Sequence, residues 1–159
     1  MCELDFPLID SFDLRHLPIT SSKFYLMING IFWNIRGVAK GSNLRRLITL
    51  VTLYHVKFVV ICEPKLDVSK IDSIRLCLSF DFVVVNCSSD IWVFYSSPFK
   101  CSIVGNLDKH ISLSVQYPLL PGSIILSFIH GKCLMEERRD LWLNLLADKP
   151  SSTPWCIGG

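Results

Sequence analysis

The chain has 159 residues, of which 50% are hydrophobic and 19% charged, and its formal net charge is +2. Its hydrophobicity excludes a mainly disordered chain, and its length predicts one domain. A net charge this small gives no sign of nucleic-acid binding through bulk charge, although a local basic patch remains compatible with it.

The apolar runs are too short or too interrupted for a membrane-spanning helix, which needs about 20 mostly apolar residues. They cover residues 24–33, 47–62 and 124–129, and Lys57 breaks the longest of them. Glu3 and Asp5 stand where a signal peptide carries bases. Seven scattered cysteines without a Cys-x-x-Cys pair indicate neither a zinc site nor a disulfide framework. We therefore expect an intracellular protein with no membrane partner.

Residues 1–22 predict an irregular N-terminal extension, because prolines and a serine pair interrupt any periodicity, and residues 23–159 form the predicted domain. Residues 24–34 predict a strand, and a helix follows with Asn43 as its N-cap. The apolar run at residues 58–62 predicts a strand buried on both faces. Residues 69–72 have the capping-box pattern of a second helix start.

Strands dominate the rest of the chain. They are predicted over residues 82–87, 91–95, 101–104, 111–117 and 124–130, and a last strand begins at Trp155. Residues 105–106 are among the predicted turns, and residues 136–146 predict a third helix. Early helical crossovers favour parallel neighbours, and the later run of strands favours antiparallel hairpins. The expected class is α/β (α+β), with mixed sheet and helices outside.

Two polar residues follow buried strands at the points where ligands bind in open α/β sheets. Asn34 ends the first predicted strand, and Glu63 ends the second. A carboxylate there suits a hard cation such as Mg²⁺, and an amide beside it suits a phosphate oxygen. A strand that ends in a polar residue only because it reaches the solvent gives the same pattern.

These motifs resemble a known family. Trp33-Asn34-Ile35-Arg36-Gly37, a helix, and then Val60-Ile61-Cys62-Glu63-Pro64-Lys65 resemble the opening of the endonuclease/exonuclease/phosphatase family. The similarity is greatest to the endonuclease domain of plant LINE-type non-LTR retrotransposons, and it extends over residues 27–159. Later segments that agree with it are residues 90–95, 128–131, 137–142 and 154–159.

The resemblance implies the front half of a two-layer mixed β-sandwich flanked by helices, of the DNase I-like kind. It implies metal-dependent phosphodiester hydrolysis of DNA, with Glu63 as a metal ligand and Asn34 as a phosphate-positioning residue. His130 stands where the family usually has Tyr, which makes it a candidate phosphate donor, although an idle solvated histidine is the plainer alternative. Asp90 stands where Gly is usual.

Several family motifs have no counterpart in the sequence, including Asp-Phe-Asn after Gly159 and the closing Asp-His pair. We therefore expect a truncated, inactive endonuclease-like domain derived from a retrotransposon, with Mg²⁺ binding weak or lost and no small-molecule cofactor. Two alternatives stay open: an active small Mg²⁺-dependent phosphodiesterase, and a non-catalytic binding or interaction module. A working retrotransposon product would act in the nucleus.

Other residues carry lesser expectations. Arg36, Lys40 and Lys65 are candidate contacts to nucleic-acid phosphates, or an ordinary solvated face. The thiol of Cys62 is expected to be buried and inert. His55 and His110 receive no role, and the tryptophans at positions 92, 142 and 155 are expected in the core. With a mean hydropathy of +0.41, exposure of residues 124–129 is expected to drive self-association.

Overall fold

The computed structural model describes residues 29–131 and 135–159, which form two four-stranded sheets with three helices outside them. The strands are β1 (Gly30–Asn34), β2 (Phe58–Cys62), β3 (Phe82–Val85), β4 (Ile91–Tyr95), β5 (Lys100–Leu107), β6 (His110–Gln116), β7 (Ile124–Ile129) and β8 (Trp155–Gly158). The helices are α1 (Gly41–Leu53), α2 (Ile71–Cys77) and α3 (Met135–Ala147), and a 3-10 turn (Val68–Lys70) precedes α2.

Both sheets are mixed. The first has the order β1-β2-β4-β3, in which β1 and β2 are parallel and the other pairs are antiparallel. The second has the order β5-β6-β7-β8, in which only β7 and β8 are parallel. This confirms the predicted class, a mixed α/β fold with two mixed sheets and three helices.

The main core lies between the sheets, because alternate residues of each strand face the opposite sheet. Its buried members include Phe32, Phe58, Val60, Val93, Ile111, Leu113, Leu126 and Phe128. A second core lies on the outer face of the first sheet, where α1 and α2 cover the residues of opposite parity, such as Trp33, Ile61 and Trp92. The central strands β2 and β4 of the first sheet are therefore buried on both faces, as the continuous apolar run of β2 predicts.

The expected exposure of residues 124–129 is wrong. β7 lies between β6 and β8, and residues Ile124 to Phe128 are all buried. The exposed apolar side chains include several on α3, where Trp142 is 49% exposed beside Leu143 and Leu146. Trp142 is thus not a core residue, whereas Trp92 is fully buried and Trp155 is partly buried.

Local signals misplaced two helix starts and one turn. Asn43 is not the N-cap of α1: it lies inside the first turn, and its Nδ2 donates to the carbonyls of Ile35 and Gly37. Asp67, rather than residues 69–72, caps the 3-10 turn by accepting from the Ser69 amide. Residues 105–106 belong to β5, where a register shift between Ile103 and Gly105 absorbs the turn-like composition.

The predicted extension at residues 1–22 and the start of the first predicted strand lie outside the described residues. Within the described part of the chain, no helix is both long enough and apolar enough to cross a bilayer.

Candidate functional site

The site begins where the parallel strands β1 and β2 end together. Asn34 pairs in register with Cys62, which brings the next residue, Glu63, to the same edge of the sheet. There Asn34 Nδ2 donates to Glu63 Oε1 at 2.9 Å. The predicted proximity of these two side chains is confirmed, because a helical crossover between adjacent parallel strands places their carboxyl ends side by side.

The backbone around Glu63 is held from both neighbouring segments. The Glu63 amide donates to the Asp90 carbonyl at 3.0 Å, and the Gly37 and Val38 amides donate to the carbonyls of Glu63 and Pro64 at 2.9 and 2.8 Å. Glu63 and Lys65, on either side of Pro64, have φ values of 50° and 47°. Such a left-handed conformation costs a non-glycine residue on the order of 1–3 kcal/mol. Strain retained at the end of a buried strand is a feature that clusters at functional sites.

The second sheet contributes His130, which directly follows β7. Its Nε2 lies 3.1 Å from Glu63 Oε1, and its side chain is 12% exposed. Lys65 approaches from the solvent side, with Nζ 3.5 Å from Glu63 Oε2. Side chains from both sheets thus converge on one carboxylate.

These contacts favour the ionised form of Glu63. The pKa of the Glu63 carboxyl is lowered from 4.5, mainly by the hydrogen bond from Asn34, with smaller contributions from His130 and Lys65, while partial burial opposes the shift. An ionised carboxylate only accepts hydrogen bonds, so His130 Nε2 is the donor. His130 Nδ1 is buried and has no partner.

A pocket of about 580 Å³ opens beside Glu63. It is lined by Glu63, Pro64, Lys65, Leu66, Ser88, Ser89, Asp90, His130 and Gly131. Asp90 is a second carboxylate in this pocket, and the family motifs assign no role to it. The signal that could have identified Asp90 is the pairing register of β2 and β4. Cys62 pairs with Ile91 in this antiparallel pair, which sets Asp90 opposite Glu63.

Asn86 anchors the turn that carries Asp90. Its side chain is buried, and its Oδ1 accepts from the Ile91 amide at 2.8 Å. Its Nδ2 donates to the carbonyls of Leu107 and Asp108 at the hairpin between β5 and β6. The wall of the pocket in the first sheet is thereby tied to the second sheet.

The donor set fits a loosely held Mg²⁺. Glu63 offers a carboxylate, and Asn34 Oδ1 is a buried acceptor without a partner beside it. Both are hard oxygen ligands, and Mg²⁺ commonly uses one or two carboxylates while keeping several waters. Within residues 29–131 and 135–159, no group of three or more His, Cys, Asp or Glu side chains is arranged to hold a metal ion. Most of the ion's coordination shell would therefore be water and phosphate.

The remaining candidates fall outside this cluster. Arg36 and Lys40 are exposed and do not line the pocket, so of the three candidate phosphate contacts only Lys65 reaches it. Burial raises the pKa of the Cys62 thiol from 9.0 to about 12, aided by the charges of Glu63 and Asp90. A thiol of that kind is almost entirely protonated at neutral pH, which agrees with the expected inert cysteine.

A second histidine–carboxylate pair, which we call the α3 cluster, lies on the outer face of the second sheet. His110 Nε2 and Ser112 Oγ each lie 2.8 Å from Asp148 Oδ2, just beyond the end of α3. Ser112 Oγ also contacts Ser127 Oγ at 2.7 Å, and Trp155 Nε1 donates to Ser127 Oγ. His110 is thus not an idle turn residue: it begins β6 and is 1% exposed.

The two-sheet architecture is similar to that of solved structures. The structure of the human Nocturnin catalytic domain with bound sulfate anion matches 97% of this chain and 68% of its own length, at 16% identity and a TM-score of 0.51. The chain shares the DNase I-like fold of this structure. TDP2 from Caenorhabditis elegans matches 74% of this chain and 42% of its own length, at 17% identity and a TM-score of 0.45. No family model matches the sequence, and no curated protein matches it in sequence.

Proposed function

We propose that this chain is an endonuclease/exonuclease/phosphatase-type domain whose Asn34–Glu63–His130 site binds a phosphate group of DNA together with Mg²⁺. The observation that supports it is the convergence of Asn34 and His130, from different sheets, on Glu63 Oε1 at 2.9 and 3.1 Å. This leaves Oε2 on the side of Lys65 and the pocket.

The proposed role of each side chain follows from the hydrogen bonds that it can donate or accept. Glu63 Oε2 would hold Mg²⁺, and the bonds to Oε1 hold the carboxylate in place and favour its ionised form. His130 and Lys65 line the pocket, where the ammonium of Lys65 supplies donors for phosphate oxygens while His130 Nε2 continues to donate to Glu63 Oε1. A bound Mg²⁺ stabilises the negative charge that develops on a phosphate during hydrolysis. A sulfate ion in the Nocturnin structure shows that a protein of this fold takes up an oxyanion.

We further propose that the 159-residue chain has no measurable DNA-cleaving activity and derives from a LINE-type element. Hydrolysis also needs a base that activates water, and losing one member of a catalytic unit commonly costs several orders of magnitude. Among the described residues that line the pocket, the carboxylates are Glu63 and Asp90, and none of these lining side chains matches the family's base. The origin is supported by the two opening motifs around Asn34 and Glu63.

Plasmid nicking and DNA binding test the proposal together. Wild type and Glu63→Ala are compared, with Asp140→Ala as a control that removes an exposed carboxylate from α3. We expect no nicking by any of the three. We expect Mg²⁺-dependent binding of a short duplex by wild type and Asp140→Ala, and its loss in Glu63→Ala. DNA binding that is the same with and without Mg²⁺, and the same in wild type and Glu63→Ala, would contradict the proposed site and favour a non-catalytic interaction module.

One observation favours an active phosphodiesterase as the second candidate. Asp90 lines the same pocket as Glu63 and His130, and it supplies a second carboxylate where the family has Gly. Nicking by wild type that disappears in both Glu63→Ala and Asp90→Asn would establish this function instead. Nicking that survives in Glu63→Ala would point to a contaminating nuclease.

A further inference from the structure

We propose that Lys65 is a built-in competitor for the divalent cation at Glu63. The inference rests on the proposed function and adds regulation of the same site: the ammonium of Lys65 neutralises Glu63 Oε2 in the metal-free protein and must move away when a divalent ion binds.

The division of contacts between the two carboxylate oxygens leads to this inference. Oε1 already accepts from Asn34 and His130, whereas the contact at Oε2 is Lys65 Nζ at 3.5 Å. A carboxylate oxygen has two lone pairs, so Oε1 is fully used and a cation must approach through Oε2. The ammonium and the metal ion therefore compete for the same oxygen.

The backbone at Glu63 and Pro64 is held by hydrogen bonds, so the response to a bound cation is a movement of the Lys65 side chain. Glu63 and Pro64 are hydrogen-bonded to Gly37, Val38 and Asp90 on both sides, and Pro64 is buried. The side chain of Lys65 is 63% exposed, so it exchanges the carboxylate for water at little cost. The movement is thus a side-chain rotation at a fixed site.

Electrostatics sets the size of the effect. A unit positive charge a few ångströms from a divalent ion, in screened high-dielectric surroundings, changes its affinity by about three- to tenfold. Removing the charge of Lys65 should therefore tighten binding by that factor, and the gain should shrink as salt is added.

The test is a titration with Mn²⁺ alone, which shares the oxygen-ligand preference of Mg²⁺, with free Mn²⁺ measured by electron paramagnetic resonance. The proteins are wild type, Lys65→Met, Lys65→Arg, Glu63→Gln and the control Lys149→Met, which removes an exposed lysine near the end of α3. Circular dichroism checks that each variant is folded. We expect three- to tenfold tighter binding in Lys65→Met, and affinities within twofold of wild type in Lys65→Arg and Lys149→Met.

Failure of the inference and failure of the proposed function give different results. Equal or weaker binding in Lys65→Met, with binding still lost in Glu63→Gln, overturns the competitor role and leaves the metal site intact. Binding that survives in Glu63→Gln, or no binding by either wild type or Lys65→Met, overturns both.

Discussion

The protein contains two histidine–carboxylate pairs that differ in what surrounds them. In the α3 cluster, Asp148 bonds to His110, which is 1% exposed, and to a chain of buried hydroxyls. At the candidate site, Glu63 bonds to His130 beside a pocket of about 580 Å³, with an exposed lysine on its second oxygen. The same chemical pair is thus enclosed by buried side chains in one region, and in the other it leaves one carboxylate oxygen beside a pocket and an exposed lysine.

The direction of the hydrogen bonds explains the closed pair. Trp155 is only a donor, so it donates to Ser127, Ser127 donates to Ser112, and Ser112 donates to Asp148. Each hydroxyl in this chain both donates and accepts, and the chain ends on a carboxylate oxygen. Such a network specifies one arrangement of the second sheet and α3, and it is costly to interrupt.

Removing Asp148 should have the largest effect on stability. Asp148→Ala leaves His110 and Ser112 buried without an acceptor, and we expect a loss of about 3 kcal/mol in the free energy of unfolding. Urea denaturation followed by circular dichroism measures it. The control Asp140→Ala removes an exposed carboxylate from α3 and should change stability by less than about 0.5 kcal/mol. Equal effects of the two substitutions would contradict the distinction between the closed and open pairs.

Gly105→Ala should break the same cluster from the opposite side. A methyl group at this position of β5 would overlap the carboxylate of Asp148, which its hydrogen bonds hold in place. We expect a loss of about 2 kcal/mol, of the size typical for overpacking. Gly122→Ala is the matched control, since nothing lies within 4 Å of its added methyl.

The double variant Gly105→Ala/Asp148→Ala sharpens this test. Without the Asp148 carboxylate the methyl group has room. The double variant should therefore lose less free energy of unfolding than the two single variants lose in sum. Strict additivity in urea denaturation would show that Gly105 acts on stability independently of Asp148.

Glu63 should matter least for stability. Its pKa is lowered in the folded state, so its contribution is present above about pH 4.5 and disappears as the pH falls through the lower folded-state value. Because the carboxylate is partly exposed, we expect Glu63→Gln to cost under about 1 kcal/mol at pH 7. The difference from wild type should shrink between pH 5 and pH 3. A difference that grows as the pH falls would contradict a lowered pKa of Glu63 in the folded state.

The parallel pairing of β1 with β2 and the proximity of Asn34 to Glu63 followed from the sequence because they depend on local signals. A helix between two apolar runs predicts parallel neighbours, and polar residues at their ends then meet at one edge. The proximity of His130 depended on pairing between the two sheets, and its candidate role came from the family resemblance. Asp90 was missed because its position opposite Glu63 depends on the register of β4, which strand composition does not fix.

The α3 cluster gave no usable signal. Asp148 lies 38 residues from His110 and 36 from Ser112, and neither pair forms a spacing motif. The Gly-Asn dipeptide at positions 105–106 is typical of a turn, yet Gly105 serves here to leave room for Asp148. Long-range polar contacts of this kind depend on tertiary packing, which periodicity does not encode.

The most direct test of the proposed site is paramagnetic broadening by Mn²⁺ in nitrogen–proton correlation spectra of the ¹⁵N-labelled chain. At substoichiometric Mn²⁺, wild type should lose the amide signals of Glu63, Asp90 and Gly131 first, because these residues line the pocket. Glu63→Gln should lose none of them at the same concentration. Broadening that leaves these signals intact and centres on Asp108 and Asp140, which line a separate pocket beside α3, would contradict the assignment of the site to Glu63.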